Sequence, residues 1–277
     1  MRMDARICGL LLACLFSAIA RQAWGQASPR GSSRGTAAAV SRQERDDYRA
    51  ALASGSGDAL DKSAGEFATK YPESSLRRYL YLRALRQYQA ENDPAGILSA
   101  AREVLAVDSA DPVALVLTAT VLSDRFSPAD PDREQRIAEI RADAESAIRS
   151  LEHGVISSST APQQSALYRS TLEAMAYSAL GTVKLKNGDD AGAEKDLKTA
   201  ANMTKARPDP FVWYHLALAQ DHRRNFSSAI KSVEQAMQLA SGNPQLQHLV
   251  EREHDRLLHL AGRKHGSPEP GSARPPE

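Results

Sequence analysis

The chain has 277 residues, 42% of them hydrophobic but only 5% aromatic, and a formal net charge of +1. A near-neutral chain carries no global field to steer it onto nucleic acid or an anionic membrane surface. Its two cysteines, Cys8 and Cys14, both lie close to the N-terminus, so the remainder holds no disulfide framework, thiol nucleophile or cysteine metal site.

In chain order, the first element is an address. Arg2 and Arg6 precede an apolar run at 7–20, and small residues follow, which is the layout of a secretory signal peptide. The run is shorter than the roughly 20 residues of a bilayer span. Cleavage after Ala27 is preferred over cleavage after Ala20, giving a signal peptide at 1–27. An alternative reads Leu11-Leu12-Ala13-Cys14 as a lipobox with Cys14 lipidated, the one route to membrane association. Removing the first 27 residues takes Lys+Arg from 35 to 32 and Asp+Glu from 34 to 33, which leaves −1.

A flexible linker is expected at 28–40, where the small polar run SPRGSSRGT stands. A disordered tail is expected at 266–277, which holds Pro268, Pro270, Pro275 and Pro276. Between them the composition is Ala- and Leu-rich, and few segments alternate with the strand period of two, so an all-α chain is predicted. Turn signals at 55–58, 92–94, 108–112, 187–189, 207–210 and 241–244 divide it into helices joined in pairs. The pairs are placed at about 41–71, 74–108, 111–152, 162–206 and 209–241, with a closing amphipathic helix at 244–265. An insertion at 126–132 and an irregular joint at 153–164 interrupt the rhythm.

The last two pairs align with an offset of 36 residues, Leu180-Gly181 on Leu216-Ala217. Tyr177 then falls on Trp213, Ala193 on Ala229, Leu197 on Val233 and Ala200 on Ala236, and the turn Asn187-Gly188-Asp189 matches 223–226. An earlier unit fits with Tyr81, Ala84-Leu85, Tyr88, Ile97, Ala101 and Val104. These residues resemble the tetratricopeptide repeat (TPR), in the form found in exported proteins of the bacterial envelope. The resemblance implies an all-α, right-handed solenoid of about five helical hairpins with a C-terminal capping helix. In it, small residues such as Gly181, Ala193, Ala217 and Ala229 let paired helices approach. Larger ones, including Tyr177, Leu180, Leu197, Trp213, Leu216 and Val233, fill the space between. Gly181→Glu should therefore be far more damaging than Lys184→Glu.

No catalytic constellation stands out. His248, His254, His259 and His265 have spacings of six, five and six, which do not share a helix face, and neither HExxH nor GxSxG occurs. The run Arg77-Arg78-Tyr79-Leu80-Tyr81-Leu82-Arg83 interleaves basic and aromatic residues, but reads as an amphipathic helix with Tyr81 in the core. No metal or cofactor is expected.

In the family it resembles, the first helix of each pair lines a groove for a peptide or another domain. Carried over, that places Tyr79, Leu82 and Arg86, then Met175, Ser178 and Thr182, then Phe211, Tyr214, Leu218 and His222 in a groove. Phe211 and Tyr214 could equally pack against the closing helix. The Lys and Asn residues that clamp a carboxy-terminal carboxylate in some members are missing here. The implied function is a non-enzymatic scaffold or assembly factor for a protein partner in the cell envelope. The alternative is an envelope hydrolase with its site at 126–132 or 153–164, using His153 and Ser157, Ser158 or Ser159.

Overall fold

The computed structural model describes residues 40–153 and 162–265. The signal peptide, the linker up to residue 39, the serines of the joint and the tail beyond residue 265 lie outside the described residues. Among the described residues the chain forms eleven α-helices and one 3₁₀ turn, Ala240–Gly242, with no strand. The helices are α1 Arg42–Leu52, α2 Gly57–Lys70, α3 Leu76–Glu91, α4 Pro94–Val107, α5 Pro112–Arg125 and α6 Arg133–His153. They continue with α7 Pro162–Lys186, α8 Asp190–Met203, α9 Pro210–His222, α10 Phe226–Leu239 and α11 Pro244–His265. Each helix packs on the next. Odd-numbered helices also pack on one another, α1 on α3, α5 on α7, α7 on α9 and α9 on α11. That succession is a solenoid of hairpins.

Local chemistry starts these helices where they start. Ser41 opens α1 with a capping box to Glu44. Asp93, Asp111 and Asp209 each precede a proline, and each carboxylate accepts main-chain amides of the first turn. Three hairpin turns share one device. Asn92, Gly188 and Arg224 adopt the left-handed conformation, with φ of 57°, 83° and 58°. After each of them the next amide reaches back across the turn, from Asp93 to Tyr88 O, Asp189 to Lys184 O and Asn225 to Gln220 O, all at 2.9 Å. This is a Schellman closure repeated along the chain.

Packing follows the small residues. A methyl at Gly181 would stand 2.6 Å from Leu197 Cγ, so the α7–α8 approach exists because that side chain is absent. The Tyr88 ring fits between Gly57 and Gly96, where a methyl would come within 2.4 and 2.3 Å of it. Leu85, Ala193, Leu197, Ala200, Ala217, Ala229, Val233 and Ala236 are fully buried, and Tyr81, Leu180 and Leu216 nearly so. Tyr177 and Trp213 are half-buried and bridge successive clusters. Burying a side chain the size of Leu contributes about 1.5–3 kcal/mol, so a handful per interface holds neighbouring hairpins together. Lys184 is half-buried and pairs at 2.6 Å with Asp196, whose side chain is only 9% exposed. Lys184→Glu would set two carboxylates against each other.

Polar ties fasten the hairpins to one another. Arg78 on α3 donates to the fully buried Asp111 ahead of α5. Lys186 at the end of α7 donates to the carbonyls of Ser123 and Asp124 at 2.9 and 2.7 Å, closing the C-terminal turn of α5. Arg223 reaches Glu194 on α8, and Arg256 on α11 reaches Asp221 on α9.

Candidate functional site

Where α3, α5, α7 and α9 converge they leave a pocket of about 50 Å³. A single water needs about 10–15 Å³ by this measure, so the pocket holds a few waters or the end group of one side chain. Gln89 enters from α3 and Thr120, Ser123 and Asp124 from α5. Thr171, Met175, Ser178 and Thr182 come from α7, while Phe211 and His215 come from α9 with Thr204 and Asp209 just ahead of it.

The lining has unusual electrostatics for an interior. Burial pushes the Asp124 carboxyl up to about 7, with the Lys186 ammonium partly offsetting the effect. Burial likewise raises Asp209 to about 6 against the stabilising amides of Phe211 and Val212. His215 is lowered to about 4, first by burial and then by Lys186, so its ring is neutral at neutral pH. Its Nδ1 sits 3.1 Å from Thr182 Oγ1. Gln89 is 3% exposed, and both its amide atoms have no hydrogen-bond partner among the described residues. A buried amide left unmatched costs roughly 1–3 kcal/mol, so a chain keeps one only for a reason.

Of the groove residues expected from sequence, the pocket brings together Met175, Ser178, Thr182 and Phe211. Thr182 is 3% exposed, so it shapes the pocket through His215 and does not stand open on a surface. Leu82, at 2%, is core, because its helix is covered on several sides by α2, α4 and α1. Leu218 and Met175, at 9% each, are also buried. Tyr79 is half-buried with Arg78 over its ring at 5.6 Å. Burial lowers Arg86 to about 10 and raises Tyr168 to about 12, and each of the two half-buried side chains acts electrostatically on the other. Tyr214 packs with Phe211 in the cluster that includes Leu246 and Val250 of α11. His222 turns to α8, with Nδ1 2.8 Å from Asp190. Gln89, Asp124, Asp209 and His215 were not singled out from the sequence.

In the other stretches considered for chemistry, the described residues are taken up by packing and local hydrogen bonds. In the 126–132 insertion, Phe126 is buried with Ile137 and Ile140, the Ser127 amide donates to Asp130, and Arg136 meets Asp132 at 3.1 Å. His153 is exposed at the end of α6, and residues 154–161 with Ser157, Ser158 and Ser159 lie outside the described residues. His248 and His259 are exposed on α11, and His254 stands 3.7 Å from Glu234. Among the described residues no group of His, Cys, Asp and Glu is placed to hold a metal ion. No described helix is long and apolar enough to cross a membrane.

The repeated hairpins, their shared left-handed turns and the small residues at their contacts define the described residues as an all-α solenoid of helical hairpins. No protein-family model matches the sequence, and no curated protein matches it. Among solved structures, it is similar to a thermophilic TPR protein of Thermus thermophilus. The two share 14% identity and a TM-score of 0.48, over 76% of this chain and 98% of that one.

Proposed function

We propose that this protein is a non-enzymatic interaction scaffold or assembly factor of the bacterial cell envelope, which receives a peptide segment of a partner along its odd-numbered helices. The observation that carries the reading is the pocket at their meeting point, into which Gln89 presents an amide with no partner among the described residues. A peptide offers what such a site needs, a donor and an acceptor at nearly every residue. Hairpin solenoids generate extended binding faces because each repeat contacts only its neighbours. Export is proposed from the arginine-led apolar segment that ends in small residues by Ala27.

A photo-crosslinking residue at Ser178, on the pocket wall, tests the binding face against the same residue at Arg149, which is 60% exposed on α6. Peptide adducts should form at Ser178 in envelope extracts, disappear in Thr120→Trp and be absent at Arg149. Equal labelling at both positions, or none at Ser178, would refute the assignment. For export, N-terminal sequencing of the chain recovered from a periplasmic fraction should begin at Ser28. A full-length product confined to the cytoplasm would rule export out.

A further inference from the structure

Four of the six hydroxyl groups lining the pocket share a habit that decides what it accepts. Thr120 donates its one hydrogen to Val116 O at 2.8 Å, and Ser123 donates to Thr120 O at 2.9 Å. Thr171 donates to Leu167 O at 2.8 Å and Thr204 to Ala200 O at 3.0 Å. Each bond runs back along the hydroxyl's own helix, so what each oxygen has left is lone pairs. To these the pocket adds the carboxyls of Asp124 and Asp209 and the unpartnered Oε1 of Gln89. Against this set of acceptors the lining offers few donors, chiefly Gln89 Nε2, the His215 ring and the Ser178 hydroxyl, which also accepts.

We infer that the pocket is a subsite for a primary ammonium group, carried on a lysine side chain of the bound partner. An ammonium brings three donors and no acceptor, the complement of this lining, and its compact head suits a space of about 50 Å³. A guanidinium is larger and planar. A carboxylate would meet a lining already crowded with lone pairs. Charge points the same way. The titratable groups lining the space are Asp124 from α5 and Asp209 and His215 at α9, while α3 supplies the neutral Gln89; Lys186 at the end of α7 lies outside the lining but close enough to act on both Asp124 and His215. With both aspartates ionised and His215 neutral, Lys186 balances one of the two negative charges and an arriving ammonium balances the other. The amide nitrogen of Gln89 is then left for a carbonyl of the same segment. This inference rests on the peptide-binding reading above, and narrows it to lysine-bearing segments.

The test uses n-butylammonium as the lysine-end probe, with the neutral n-butanol and the anionic butyrate as matched probes, on the mature chain at pH 8. Saturable shifts of the Gln89 side-chain amide signals in NMR titrations are expected with butylammonium only. Gln89→Leu removes the orphaned acceptor without disturbing the fold, and should weaken binding at least ten-fold. Asp124→Asn should do the same, and lowering the pH from 8 to 5.5 should weaken binding in the parent chain as the carboxyls take up protons. Butyrate or butanol binding as tightly as the amine overturns the inference, and so does Gln89→Leu with unchanged affinity. A second arm separates this from the function it rests on. If crosslinking at Ser178 captures peptides but replacing their lysines with acetyl-lysine leaves capture intact, the ammonium assignment fails and the scaffold survives. If butylammonium saturates the pocket while no peptide is captured, the amine comes from a small molecule and the lysine source is overturned.

Discussion

The tight approach of α7 and α8 at Gly181 is the most direct place to test the packing. In Gly181→Ala the new methyl would stand 2.6 Å from Leu197 Cγ, 3.0 Å from its Cδ2 and 3.3 Å from its main-chain nitrogen. Leu197 is completely buried, so it has nowhere to swing, and the proximity of its nitrogen means that the α8 backbone must itself retreat. Overpacking of this kind costs about 1–3 kcal/mol, and the lost contacts of a displaced helix put this case at the upper end. Replacing a mid-helix glycine by alanine also returns about 1 kcal/mol of helix propensity. The net is a loss of about 1–2 kcal/mol, or roughly 2–8 °C in melting midpoint for a chain of this size. Gly65 in α2 isolates the propensity effect, because a methyl there meets nothing within 4 Å. Gly65→Ala should raise the midpoint by about 2–4 °C. Thermal unfolding followed by far-ultraviolet circular dichroism measures both. If Gly181→Ala melts at or above the parent chain, the helices do not depend on that missing side chain and the packing account is wrong.

Backbone strain makes a separate prediction at Gly188. Its φ of 83° is one that side chains rarely adopt, and no neighbour lies within 4 Å, so Gly188→Ala should cost about 1–2 kcal/mol through conformation alone. A midpoint unchanged by that substitution would deny the Schellman closure. Asp111→Ala removes the acceptor of the Val113 and Ala114 amides and leaves Arg78 without its main partner, a loss of about 2–3 kcal/mol. Asp111→Asn keeps the cap and should lose less, so identical denaturation midpoints for the two variants would discount the inter-hairpin tie. The pocket predicts a pH profile. The Asp124 carboxyl, raised from 3.8 to about 7, contributes stability that is full below pH 3.8 and lost as pH rises through 7. His215, lowered from 6.5 to about 4, does the reverse, contributing fully above 6.5 and losing it as pH falls through 4. The two oppose each other between pH 4 and 6.5, and the aspartate dominates above. Asp124→Asn should therefore exceed the parent in stability at pH 8, by an amount on the order of several kcal/mol that shrinks toward pH 5. Urea denaturation at pH 5, 6.5 and 8 reads this, and a difference that does not vary with pH would count against a buried carboxylate.

The fold was legible because its determinants are local and repeat. Asn187-Gly188-Asp189 aligns with 223–226, and Gly188 and Arg224 take the same left-handed turn although only one of them is glycine. An Asp-Pro pair marks a helix start through a side-chain cap and a fixed dihedral, all within four residues. Only four of the fifteen lining residues were legible on the same basis, since Met175, Ser178, Thr182 and Phe211 occupy first-helix positions that recur with the repeat. What family positions do not convey is depth. Leu82 holds a groove position by alignment, yet it is enclosed, and Arg86 is half-buried, because how far the neighbouring helices close over a helix is set by contacts distant in sequence.

The missed residues had a signature nonetheless. Gln89 extends the apolar stripe of Leu82 and Leu85, Asp124 that of Leu117 and Val121, and His215 lies between Phe211 and Leu218, each three or four residues from its apolar neighbour. A polar side chain on a core stripe contradicts the pattern that forms its helix. One such residue is readily a local accident satisfied by a neighbour, as Ser232 is by Gln220 across α9 and α10. Here three different helices carry the same contradiction, and the three residues meet in one pocket where the Gln89 amide finds no partner among the described residues. Selection for stability alone would replace Gln89 with leucine and Asp124 with an apolar residue, each a single substitution that removes a desolvated polar group. Under the proposed function their joint placement has a reason, since a partner segment that pairs with these groups would return the stability that their desolvation costs.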